Sequence, residues 1–237
     1  MFGGFRGRSW LSGKESADYG RHLRNHIIGG FSLSEERLFR AWERRMPESR
    51  KRKIASLRFP EGQRLSLGVG ILLWKALEKR GLDPRTPVGE MKYGKPYLPE
   101  EPGWHISLSH AGTWAMCAMG RRPVGCDLEE IRRGDLRLAD RFYHPAEQAW
   151  LAAFAREEDK KREFTRLWTR KESYLKLDGR GLGLELGSFD ALQSGLGGWY
   201  EDGPAPEGYW AACCQGGETR LGCVWRVIAA EELEIKE

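Results

Sequence analysis

Two short segments constrain this chain more than any others: Val124-Gly125-Cys126-Asp127-Leu128-Glu129, and Trp168 through Lys176. The first alternates as a β-strand does, so Asp127 and Glu129 share one face while Cys126 and Leu128 point into a core. The second has helical spacing, with Trp168, Glu172 and Lys176 recurring every fourth residue along one stripe. A helix packed on that strand brings three carboxylates together beside a lysine. An all-oxygen donor set of that kind suits Mg²⁺, which keeps several waters and is completed by substrate phosphates. The pair therefore points to a magnesium-dependent enzyme acting on a phosphate ester or anhydride. Taken singly, each segment has a plainer reading: a solvated strand face, and an ordinary i,i+4 ion pair between Glu172 and Lys176.

Together the two segments resemble the signature of the 4′-phosphopantetheinyl transferase superfamily. That signature is a hydrophobic-Gly-hydrophobic-Asp element followed, after a gap, by aromatic-small-x-Lys-Glu-Ser/Ala-x-x-Lys. Cys126 replaces the usual Val or Ile, a mild departure because a buried cysteine behaves as a small hydrophobe. The likeness runs from about Glu48 to Phe189 and takes in elements of the surfactin-synthetase-activating class: Arg50-x-x-Lys53-Ile54, Arg64-Leu65-Ser66-Leu67-Gly68, Tyr93-Gly94-Lys95-Pro96-Tyr97 and Ile106 through Gly112.

The resemblance implies an α+β pseudo-dimer of two similar α/β halves, with the active site between them. An N-terminal extension (1–25), poorly ordered or loosely packed, would precede a coenzyme A-binding half (26–120) and a half with the metal site and catalytic helix (121–237). An echo of Thr113-Trp114-Ala115-Met116-Cys117 in Tyr209-Trp210-Ala211-Ala212-Cys213 agrees with duplication.

It further implies transfer of 4′-phosphopantetheine from coenzyme A to a serine of an apo acyl or peptidyl carrier protein, releasing adenosine 3′,5′-bisphosphate. Arg50, Lys53 and Arg64 would hold the 3′-phosphate, and Gly94, Lys95 and Pro96 would wall the adenine. Ser109 and His110 would bond phosphate oxygens, with Lys171 near them. Asp127, Glu129 and Glu172 would hold Mg²⁺, Glu172 being the favoured base, and Lys176 would stabilise the departing bisphosphate. Ile131-Arg132-Arg133 through Phe142 is the expected docking stretch for the carrier.

Bulk properties fit such an enzyme. A net charge of +5 suits an anionic partner, and an acidic carrier protein is one. A nucleic-acid-binding protein is the main alternative class, but 34 acids offset the basic residues and no DNA- or RNA-binding signature is present. A degenerate relative that binds coenzyme A without transferring anything would be expected to lack one of the three carboxylates or Lys176. No apolar run approaches the roughly 18 residues of a membrane span, and Met1 to Gly20 lacks a secretory apolar stretch. Five cysteines without a Cys-x-x-Cys read as reduced, buried thiols in a cytoplasmic protein, and the pseudo-dimer that the resemblance implies has no need to dimerise, so a monomer is expected. His22 and His26 have no third ligand.

Helices are expected over Arg64–Arg80, Pro145–Phe154 and Lys161–Lys176, and one starting at Ser32 or Ser34. Strands are expected at His105–Leu108, Thr113–Met119 and from Pro123 on, with a tight turn at Ser109–Gly112 and a loop over Lys92–Gly103.

Overall fold

The computed structural model describes residues 24–30, 36–131, 136–194, 198–228 and 232. The helix start at Ser32 or Ser34, residues 1–23 and the docking positions 132–135 lie outside them. The described chain runs β1 (Arg24–Gly30), α1 (Glu36–Arg45), α2 (Glu48–Ala55), α3 (Pro60–Lys79), β2 (Gly89–Glu90), β3 (Pro96–Tyr97), β4 (His105–Ala111), β5 (Trp114–Gly120) and β6 (Val124–Glu130). It continues through α4 (Leu136–Phe142), α5 (Pro145–Ala152), α6 (Glu157–Asp178), β7 (Gly198–Gly203), β8 (Tyr209–Gly216) and β9 (Cys223–Ile228). The α+β class is as expected.

The long helices start and stop where local chemistry dictates. Pro60 opens α3 with its φ already helical. Beyond its end Gly81 takes φ +68°, and the N–H groups of Gly81 and Leu82 return to the carbonyls of Glu78 and Leu77. In α5, His144 caps the N–H of Ala146 while Glu147 reaches back to the His144 N–H, and Pro145 fills the first turn. α6 begins earlier than the periodicity of its apolar residues shows, because Glu157, Glu158 and Asp159 favour its N-terminus electrostatically.

Two sheets carry these helices. The first has the order β4-β5-β1-β9, with β1 antiparallel to β5 and parallel to β9; the second has the order β6-β8-β7. The order β4-β5-β1 of the first recurs as β7-β8-β6 in the second, both antiparallel throughout. Each sheet has a long helix across it: α3 on β5, and α6 on β6 and β8. Trp114 and Trp210, the echoed tryptophans, sit at matching ends of the two central strands β5 and β8.

The boundary expected at 120/121 is crossed once, since β9 leaves the second half to pair with β1. Arg24 and Asn25, placed in the extension by sequence, already belong to β1. β4 reaches Ala111, so the turn into β5 is shorter than expected and Ser109 and His110 are strand residues. A two-residue ladder, β2 with β3, interrupts the loop expected over Lys92–Gly103.

The sheets meet along β4 and β6 through side chains. The Ser107 Oγ accepts from the Cys126 N–H at 3.0 Å, and the Cys126 Sγ donates to the Ser107 carbonyl at 3.2 Å. β6 is therefore covered on both faces. Val124, Cys126 and Leu128 pack with Met116, Ala118, Ala211 and Cys213, while Gly125 lies under α6. All five cysteines are free thiols, four of them buried. No described helix is long and apolar enough to cross a membrane.

Gly125 sets how closely α6 approaches β6. A Cβ there would lie 1.9 Å from the Ser173 carbonyl oxygen and 2.4 Å from the Leu177 nitrogen, both backbone atoms. Gly125→Ala should push the helix off the strand at a cost at or above the ~1–3 kcal/mol typical of overpacking. A thermal midpoint lower by roughly 5–10 °C is expected; a midpoint unchanged within error would mean the helix is not held against this strand.

Candidate active site in the groove between the two sheets

Asp127 is the centre of the site. It is 3% exposed, and its Oδ1 accepts from the Lys176 ammonium at 2.6 Å and from the Ser109 hydroxyl at 2.8 Å. Lys176 also reaches the Ser109 Oγ at 2.9 Å. One residue each from β4, β6 and α6 thus meet at a single oxygen. The expected i,i+4 partner of Lys176, Glu172, is not its closest contact. Burial works to lower the Lys176 pKa, but Asp127, Cys126 and Glu172 outweigh it and hold the ammonium above its usual range.

Glu129 and Glu172 complete the acidic side. Burial, then Asp127 and Glu172, push the Glu129 carboxyl up to about 7, although Lys176 and a hydrogen bond from Trp168 work against the shift. Burial and Asp127 likewise raise Glu172. Trp168 stacks in the Tyr143–Phe164 cluster and presents its indole N–H to Glu129. His110, beside them on β4, is lowered by partial desolvation and by the Lys176 charge.

Two adjoining cavities open along this line. One, of about 280 Å³, is lined by Arg50, Lys53, Ser66, Glu90, Ser109 and His110 among others. The other, of about 260 Å³, is lined by Tyr93, Lys95, Glu172, Lys176, Gly179 and Gly181 among others. Gly94, Pro96 and Leu108 border both, so the two cavities adjoin and together make up the groove; the second is walled by residues 93–108 on one side and by α6 and the residues after it on the other. Lys53 is paired with Glu90 at 3.1 Å on the groove's rim. A larger cavity, of about 510 Å³, lies between α1 and α2 and shares no residue with the groove.

Two of the expected residues lie outside the groove. Arg64 is exposed on α3 and lines neither part of the groove. Lys171 is fully buried away from it, bonded to Glu147 at 2.8 Å and to the carbonyls of Leu186 and Phe189 at 2.8 Å each. Glu147 in turn accepts from the N–H groups of His144 and Ala191, so this ion pair ties α5, α6 and the loop after α6 together. Breaking a pair so buried typically costs about 3–5 kcal/mol. Lys95 lines the second cavity, with its ammonium bonded to the Leu177 carbonyl at 2.5 Å. Ser66 and Tyr93, named only as members of the Arg64–Gly68 and Tyr93–Tyr97 elements, line the groove, as do Glu90 and Gly181, which had no assigned role.

Among the described residues, no three His, Cys, Asp or Glu side chains form a ready-made metal cage. The donor chemistry nonetheless fits a hard divalent cation. The Asp127 Oδ2 is buried with no hydrogen-bond partner, and two neighbouring carboxyls are raised because nothing fully compensates their charge. Mg²⁺ characteristically takes one or two carboxylates and completes its shell with water and phosphate.

Comparison with known proteins agrees with this geometry. Residues 123–219, from β6 through β8, match the model of the 4′-phosphopantetheinyl transferase superfamily. The chain is 37% identical over 131 residues to a 4′-phosphopantetheinyl transferase of Bacillus subtilis, covering 54% of this chain and 58% of that protein. It is 39% identical over 99 residues to the transferase Sfp of Bacillus subtilis (strain 168), covering 41% and 43%. It is 36% identical over 162 residues to the transferase HetI of Nostoc sp., covering 64% and 61%. The matches thus span about half the length of these relatives. The segment that carries Asp127, Glu129, Glu172 and Lys176 is thus similar to that of 4′-phosphopantetheinyl transferases, Sfp among them.

Glu129 should leave a pH signature in metal-free protein. A carboxyl raised by folding stabilises fully below its unfolded value of 4.5, and that contribution is lost as pH rises through about 7. Glu129→Gln should therefore gain in thermal midpoint relative to wild type as pH goes from 5 to 8, measured with a chelator present. Parallel curves for the two proteins would show that Glu129 is not strained.

Proposed function

We propose that this chain is a phosphopantetheinyl transferase that moves the 4′-phosphopantetheine of coenzyme A onto a serine of an apo acyl or peptidyl carrier protein. The observation that carries this reading is that Ser109, which bonds both Asp127 and Lys176, lines the same cavity as Arg50 and Lys53, while Lys176 lines the cavity adjoining it. An elongated molecule with phosphates at two places would be gripped at both. In this reading the two sheets with their repeated strand order are the halves of a pseudo-dimer, and the groove between them is the active site.

Arg50 and Lys53 would meet the 3′-phosphate, and Gly94 and Pro96 would flank the adenine. His110, Ser109 and Lys176 would face the pyrophosphate. Asp127, Glu129 and Glu172 would hold Mg²⁺, which when bound supplies Lewis-acid neutralisation of the pyrophosphate. The serine hydroxyl attacks the β-phosphorus. A serine O–P bond forms as the bond from that phosphorus to the bridging oxygen breaks, and adenosine 3′,5′-bisphosphate leaves. Glu172, raised by burial and by Asp127, is suited to take the serine proton. Lys176, fixed beside Asp127, offers a preorganised positive charge to the leaving oxygen. The positive balance of the chain suits an acidic carrier, and exposed Leu138 on α4 lies in the stretch where docking is expected.

The test is to incubate the protein with coenzyme A, Mg²⁺ and a panel of apo carrier proteins and to weigh the carriers. A mass gain of one phosphopantetheine is expected with wild type and none with Asp127→Ala, whose fold should survive. No gain on any carrier with wild type, or full transfer by Asp127→Ala, would refute the reading.

A further inference from the structure

Among the described groove residues, Lys95 is the one whose side chain leaves its own half to bond the backbone of α6 in the other. Its backbone belongs to the turn between β2 and β3, where the Met91 N–H donates to the Lys95 carbonyl at 2.9 Å and the Gly94 N–H to the Met91 carbonyl at 2.9 Å. Its ammonium crosses the groove to the Leu177 carbonyl, at the last turn of α6. That carbonyl is one of those a helix end leaves without an intrahelical partner, and a cation is favoured there by the helix dipole.

The surroundings are shaped for this crossing. α6 stops at Gly179, with φ +82°, and a Cβ at that position would lie 2.9 Å from the Lys95 Cδ. The neighbours of Lys95 in sequence, Gly94 and Pro96, border both cavities, while Leu175 and Lys176 line the opposite wall. Burial lowers the Lys95 pKa despite Asp178 nearby, which fits an ammonium withdrawn from water.

We propose that Lys95 is a positioning residue: it straps the β2–β3 turn of one half to the C-terminus of α6 in the other, and so fixes the groove's width. It does not hold a phosphate of the substrate. The proposal rests on the transferase reading only for its kinetic consequence; the strap itself is a property of the ligand-free protein. With the strap cut, the wall formed by Gly94 and Pro96 is free to move away from Lys176. Binding of the long substrate then suffers more than the chemical step.

Two measurements test it, with Lys95→Met and, should that variant not fold, Lys95→Gln. In ligand-free protein, amide hydrogen exchange should speed up in both segments, 91–97 and 175–181, and Lys95→Arg should restore protection at both. Exchange unchanged in either segment overturns the strap, whether or not the protein proves to be a transferase. In transfer assays KM for coenzyme A should rise about five- to tenfold with kcat within about twofold of wild type. The rise should be equal for 3′-dephospho-coenzyme A. A rise confined to coenzyme A would mean that Lys95 grips the 3′-phosphate and would overturn the proposal.

Discussion

A single carboxylate oxygen, the Asp127 Oδ1, receives hydrogen bonds from two other elements of the fold, and the site is built outward from it. Burying an ionised carboxylate is costly unless it is paired and hydrogen-bonded. Here Lys176 supplies the opposite charge and Ser109 the hydroxyl, so α6 and β4 are both drawn to β6. The close approach is possible because Gly125, two residues earlier, has no side chain to hold the helix away. A larger residue there would separate Lys176 from Asp127 and leave a charge buried alone.

The rest of the groove follows from that junction. Once α6 is fixed over β6, Glu172 and Glu129 both lie near Asp127, and partial burial, with repulsion from Asp127, raises both glutamates. The far side of α6 is secured separately by the buried Lys171–Glu147 pair, which also holds the loop through Leu186 and Phe189. Two lysines five residues apart in one motif thus serve opposite ends of the same task. One anchors the helix in the core, and the other presents charge in the groove.

Much of this was legible in the sequence because it depends on short-range pattern. The alternation of Val124 to Glu129 and the four-residue spacing of Trp168, Glu172 and Lys176 gave the strand, the helix and their facing carboxylates. Pro145 marked a helix start by its backbone preference. What was not legible depends on distant partners. Lys171 and Lys176 look alike in sequence; only the placement of Glu147, 24 positions before Lys171 and on another helix, buries one of them. The pairing of β9 with β1 joins the two ends of the chain and leaves no local trace. Arg64 looks equivalent to Arg50 as a basic residue, yet the helical phase of α3 turns it outward. Lys95 is flanked by the glycine and proline of a loop, and nothing local shows that its ammonium crosses to another helix.

The central claim is that Asp127 and Lys176 act as one unit that holds α6 on β6, with Ser109 of the other sheet bonded to both. A double-mutant cycle on metal-free protein tests it most directly, with Asp127→Asn, Lys176→Met and the double variant compared by denaturant unfolding. The account predicts a coupling energy of at least about 1 kcal/mol, the double variant being more stable than the sum of the single losses implies. Losses that simply add would contradict it, leaving Asp127 and Lys176 as neighbours that do not hold each other.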